Sequence, residues 1–116
     1  MTTLYGIPNC NTIKKAKDWL NNQQIDFDFF NYKKQDITKA LLKKWIKQVG
    51  WEVLLNKKGM TWRKLDVQQK ENVDETKAMQ IMLDNPSIIK RPILEANKQI
   101  LVGFIEEDYQ QLFSTK

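Results

Sequence analysis

Thr2-Thr3-Leu4-Tyr5-Gly6-Ile7-Pro8-Asn9-Cys10-Asn11-Thr12-Ile13 changes character twice in a short span. Its first five residues are β-prone and are closed by Gly6 and Pro8, so a strand followed by a tight connection is expected. From Ile13 onward the apolar residues Ile13, Ala16, Trp19 and Leu20 recur at three and four positions. That spacing puts them on one face of a helix, with Lys14, Lys15 and Asp18 mainly outside it. Asn9 or Asn11 is placed to cap this helix, and Asn21-Asn22 is expected to break it. Ile25-Asp26-Phe27-Asp28-Phe29-Phe30 then alternates apolar and acidic residues, as a half-buried strand does. Strand, helix and strand make a βαβ unit, with a right-handed crossover and parallel strands.

Working outward, Thr38 is placed to cap a helix with Leu41, Leu42, Trp45, Ile46 and Val49 as its buried stripe and Gly50 at its end. Lys39, Lys43 and Lys47 fall on its wet side. A shorter apolar turn runs from Trp51 to Leu55, and Met79 to Leu83 suggest another helix that stops before Asn85-Pro86. Ile93 to Ala96 and Ile100 to Phe104 read as two strands joined by Asn97-Lys98-Gln99, and Tyr109, Leu112 and Phe113 give a last helix its apolar side. This order predicts a thioredoxin-like α/β fold: a mixed four-stranded sheet with an inserted helical subdomain. Residues 1–116 are expected to form a single domain, with 36–85 as the helical insertion.

The composition, 41% hydrophobic and 28% charged with only four Gly and three Pro in 116 residues, is that of a packed globular chain. It contains no His and one Cys. His-based triads, His/Cys zinc sites and an internal disulfide are therefore excluded, and no metal centre is expected. No apolar run is long enough for a membrane span and the N-terminus lacks the pattern of a secretion signal. A single unpaired thiol fits a reducing compartment. A cytoplasmic monomer with no membrane association is the expectation. Residues 1 to 64 carry 13 basic and 5 acidic side chains, net +8, whereas 65 to 116 carry 6 and 9, net −3.

Cys10 lies where a strand ends and a helix begins, so it meets the unpaired amides and positive dipole end of that helix. A helix end is worth about 0.3 to 1 kcal/mol, enough to raise the thiolate fraction at neutral pH. An arginine nearby adds to this, and Arg63 and Arg91 are the two in the chain. Arg91, immediately before Pro92 and a predicted strand, offers a planar donor fork to a thiolate, carboxylate or oxyanion. Lys57-Lys58-Gly59-Met60-Thr61-Trp62-Arg63-Lys64 mixes charge with an aromatic residue. It reads as a solvated basic loop with Trp62 packed in the core, since no nucleic-acid recognition motif accompanies it, and direct nucleic-acid binding ranks last. Glu106-Glu107 suits the start of the last helix.

Taken together, Tyr5 to Ala16, Gly50-Trp51-Glu52, Leu54-Leu55-Asn56, Thr61-Trp62-Arg63-Lys64-Leu65, Pro86 to Ile93 and Gly103-Phe104 resemble the arsenate reductase (ArsC)/Spx family, most closely its YffB-type members. The resemblance implies a thioredoxin-like fold, Cys10 as the active thiol, and Arg91 with a cis Pro92 facing it. Two departures matter. Arsenate reductases of the family that work with glutaredoxin use three arginines around the cysteine; this chain has Arg91 but Asn56 and Gly103 near the other two positions, which argues against arsenate. Redox-sensing Spx regulators have a second cysteine three residues after the first, where Ile13 stands here.

What remains is a one-thiol protein, expected to act as a glutathione-dependent thiol-disulfide reductase on glutathione or protein disulfides. An activated thiolate attacks a disulfide but needs an outside thiol to resolve the product. No tightly bound cofactor is expected, with glutathione as co-substrate. Cys10 is the expected nucleophile and Arg91 its partner, or the ligand of a glutathione carboxylate. Asn11 and Thr12 stabilise the anion, Lys14 attracts the anionic peptide and Pro92 shapes the groove. The alternative is an Spx-like non-enzymatic regulator that binds RNA polymerase.

Overall fold

The computed structural model describes residues 2–8, 10–32 and 34–114. Its elements are β1 (Thr3–Gly6), α1 (Asn11–Asn22), β2 (Asp28–Asn31), α2 (Lys39–Val49), α3 (Trp51–Leu54), α4 (Met60–Arg63), α5 (Val67–Lys70), α6 (Glu75–Asp84), a 3-10 turn (Pro86–Ile88), β3 (Ile93–Ala96), β4 (Gln99–Val102) and α7 (Glu106–Ser114). They divide into two compact units: Met1–Gln35 with Arg91–Lys116, and Asp36–Lys90. Among the described residues, no helix is long and apolar enough to cross a membrane.

The first unit holds the four-stranded sheet, in the order β2-β1-β3-β4. β1 runs parallel to β2, with Leu4 opposite Phe29, and antiparallel to β3, with Leu4 opposite Leu94. β3 and β4 form a hairpin. This is the thioredoxin-like α/β arrangement expected from the sequence. Strand residues alternate between faces, so Leu4, Leu94 and Ala96 share one side, where they form a core with Ala16, Trp19 and Leu20 of α1 and Tyr109 and Leu112 of α7. Burying a Leu-sized side chain contributes about 1.5–3 kcal/mol. Trp19 meets Tyr109 edge-on, with ring centroids 5.6 Å apart.

Boundaries differ from expectation where backbone geometry decides them. α1 continues through Asn21 and Asn22, and its end is closed by Gln24 in the left-handed region (φ 59) and a hydrogen bond from the Ile25 amide to the Leu20 carbonyl. Ile25 and Phe27 consequently pack on the core from a loop, and β2 begins only at Asp28. Asn97 and Lys98 both have positive φ (53 and 63), the requirement of a two-residue hairpin turn with the right twist. Gln99 therefore belongs to β4, which stops at Val102 because Gly103 turns at φ 80. Asn9, one of the two cap candidates, lies outside the described residues. Cys10 occupies the cap position itself.

The second unit is helical. Thr38 caps α2 as expected, its Oγ1 accepting from the Leu41 amide at 3.1 Å. Leu42, Trp45 and Ile46 are buried, whereas Leu41 and Val49, expected in the same stripe, are half-buried. Lys39, Lys43 and Lys47 are exposed. α4 and α5 were not legible from periodicity, because each is a single turn. Asp66 precedes α5 and its amide donates to Gln69 Oε1, while the Asp74 carboxylate caps α6 through the Lys77 amide at 2.8 Å. Past α6, the 3-10 turn buries Ile88, Ile89 bridges Leu55, and the Lys90 amide donates to the Leu54 carbonyl. These contacts carry the unit to Lys90.

Trp62 differs from the sequence expectation. It is half-buried rather than packed in the core, with Lys57 Nζ 5.5 Å from its ring centre and 5.7 Å from that of Trp51. A single-turn helix gives a large indole too little cover to bury it fully.

Candidate active site

Three chain segments meet at the C-terminal end of β1, all within the first unit. β1 ends at Gly6 and runs through Ile7 and Pro8 to Cys10. β3 is antiparallel and starts with Ile93 opposite Tyr5, so Arg91, two residues earlier, lies off the same end of the sheet. β2 is parallel and finishes with Asn31 opposite Gly6, which brings in Tyr32, whose amide donates to the Gly6 carbonyl at 2.9 Å. A Cβ at Gly6 would collide with the end of the Ile13 side chain, which is buried at the start of α1 and would have to shift.

Cys10 is extended (φ −117, ψ 128) at the N-cap of α1 and is partly exposed. Its side chain forms no regular cap hydrogen bond. Burial alone pushes the thiol up and is the largest single influence. The Ile13 and Thr12 amides, followed by hydrogen bonding and charge from the Arg91 side chain, outweigh it and hold the thiol below its ordinary value. The physical logic is that of any anion at a helix start: amides with no intrahelical acceptor face the sulfur, and a guanidinium reinforces them.

The other expected site residues divide by role. Asn11 and Lys14 line an open groove of about 490 Å³ that begins at Pro8 and Cys10 and continues past Ile13 to Lys17, Asp18 and Asn21. Thr12 is outside that lining and acts on the sulfur through its backbone amide. Arg91 is half-buried and Pro92 buried; neither lines the groove. The bond between them is cis, as the resemblance implied, and the Pro92 carbonyl accepts from the Gly103 amide at 2.8 Å. Arg63, the other arginine considered, lies on α4 in the second unit.

Sequence reasoning missed Tyr32, which lies near Arg91, and its neighbour Tyr5. Tyr32 is 7% exposed and its hydroxyl has no hydrogen-bond partner among the described residues. Burial pushes this phenol up, with Arg91 opposing and Tyr5 reinforcing the shift, so Tyr32 stays neutral. The Tyr5 hydroxyl donates to Glu95 Oε1 at 2.8 Å. The available signal was register: a residue just after β2 shares the sheet end with Cys10. The composition of Asn31-Tyr32 gives no hint of it.

Comparison with known proteins agrees with this architecture. The model of the ArsC family matches residues 5–112. A solved structure of a YffB protein superposes with a TM-score of 0.94 at 44% identity, covering 97% of this chain and 98% of that one. An uncharacterised protein of Haemophilus influenzae is 41% identical over 98% of this chain and its own full length. The global transcriptional regulator Spx of Staphylococcus aureus is 28% identical, covering 100% of this chain and 89% of the regulator.

Proposed function

The chain belongs to the ArsC family, and from that membership and the surroundings of Cys10 we propose that it is a thiol-disulfide reductase that uses glutathione. The observation that carries this reading is a single cysteine whose anion is favoured by the Thr12 and Ile13 amides and by Arg91, at the mouth of a groove. The Cys10 thiolate attacks the glutathione sulfur of a mixed disulfide, forming a Cys10–glutathione disulfide and releasing the substrate as its thiolate, which takes a proton from water. A second glutathione, as thiolate, attacks the bound glutathione sulfur. Oxidised glutathione leaves and Cys10 returns as thiolate, so the cycle consumes one free glutathione, which pairs with the glutathione of the mixed disulfide as the substrate sulfur is reduced.

Arg91 holds the Cys10 anion in its resting state and stabilises it as leaving group in the second step. Pro92, being buried, acts by directing the backbone that presents Arg91. Incubation of the reduced protein with oxidised glutathione, followed by mass spectrometry, tests the reading. The expected product is one glutathione on Cys10, released by fresh glutathione; a thiol that stays unmodified contradicts it.

The match to Spx regulators along the whole of this chain favours a second reading, an RNA polymerase-binding regulator in which Cys10 is dispensable. The basic front half supports attraction to an acidic partner. Capture of purified RNA polymerase at low salt by both wild type and Cys10→Ala is expected on this reading, and absence of capture rejects it.

A further inference from the structure

We propose that the outer part of the α1 groove is a subsite for the γ-glutamyl head of glutathione, with Asp18 taking its ammonium group and Lys14 and Lys17 its carboxylate. This rests on the reading of Cys10 as a glutathione-dependent thiol.

Cys10, Lys14, Lys17, Asp18 and Asn21 are spaced so that, at 3.6 residues per turn, they fall on one stripe of α1, and all of them line the groove. With a rise of about 1.5 Å per residue, Lys14 stands about 6 Å and Asp18 about 12 Å along the axis from Cys10. From the central cysteine of glutathione the γ-linked head reaches about two residue lengths, roughly 7 Å. Glutathione joined to Cys10 through its central cysteine, running along α1, therefore brings its head to Lys14 and toward the next turn, which carries Lys17 and Asp18.

The two ends of the groove differ in charge. Around the sulfur the fixed groups are positive: amides and Arg91. That end suits a thiolate or a simple carboxylate. The γ-glutamyl head is zwitterionic and needs an acceptor for its ammonium as well as a donor for its carboxylate, and Asp18 is the only acid among the groove residues. Lys17 is already placed, its Nζ lying 3.8 Å from the centre of the Phe29 ring. Lys14 and Asp18 are one turn apart on the helix, so opposite charges stand side by side along the groove.

The test measures binding of S-methylglutathione, which cannot exchange, by NMR titration of the full chain. Two analogues accompany it: S-methylcysteinylglycine, which lacks the head, and γ-glutamyl-S-methylcysteine, which lacks the glycine. Because Lys14 and Asp18 are exposed and Lys17 only half-buried, modest effects are expected: loss of the head weakens binding to wild type about 3- to 10-fold. Asp18→Asn weakens S-methylglutathione and the glycine-free analogue by about the same factor but leaves the headless analogue unchanged. Equal weakening of all three, or none, overturns the subsite. If glutathione still forms a disulfide on Cys10 in that case, the reductase reading survives without the subsite; if no such disulfide forms, both fall.

Discussion

The sheet unit and the helical unit are built from similar apolar resources but resolve them differently. In the first, long-range strand pairing brings segments distant in sequence to one end of β1, and that end carries Cys10, Tyr32 and Arg91. In the second, local turns dominate: three of its five α-helices are only four residues long, and Trp45, Leu54, Met82 and Ile88 are fully buried within the unit. Chemistry here comes from strand order, whereas the helical unit shows what packing alone produces. Substitutions in the two units are accordingly expected to fail in different ways.

The largest contrast comes from Cys10→Ser. Disulfide exchange is expected to fall by roughly 1,000-fold or more, while urea unfolding changes by no more than about 1 kcal/mol. Substantial residual exchange in a coupled glutathione assay would break the assignment of chemistry to this thiol. Trp45→Ala inverts the pattern, since Trp45 is fully buried in the helical unit. A loss of about 3–5 kcal/mol is expected on denaturant unfolding, and a value under about 1 kcal/mol would show that its packing is not needed.

Gly6→Ala sharpens the comparison within the sheet unit. A new methyl must displace Ile13, which is 2% exposed at the start of α1, at a cost of about 1–3 kcal/mol. Because the Ile13 amide also faces the sulfur, Cys10 alkylation near neutral pH is expected to slow. A destabilised variant with unchanged alkylation would separate packing from electrostatics. Smallest is Thr38→Ala, which removes the cap of α2 at a cost of about 1 kcal/mol, read from thermal melts.

Long periodic segments were legible in the sequence. The strip of Ile13, Ala16, Trp19 and Leu20 defined α1 because all four face one core, and Thr38 and Gly50 bounded α2 because capping chemistry is local. The hairpin and the last helix were visible for the same reason. Harder to see were features set by tertiary geometry: the left-handed Gln24 that shortens β2, the single-turn helices α4 and α5, and the half-exposed Trp62. At the site, the position of Cys10 before a helix was legible. Its meeting with Arg91 came from family resemblance, because nothing local joins residues 81 positions apart. Tyr32 could not be read at all, since only strand register brings it near Arg91.

The most direct test is the pH profile of Cys10 alkylation in wild type and Arg91→Ala. Alkylation consumes the thiolate, so a thiol held low by amides and guanidinium reaches half its maximal rate below the pH found for a free cysteine peptide. Removing the Arg91 cation destabilises that anion, moves the midpoint upward and slows the reaction severalfold near neutral pH. A wild-type midpoint at or above that of the peptide, unmoved by Arg91→Ala, would contradict the account.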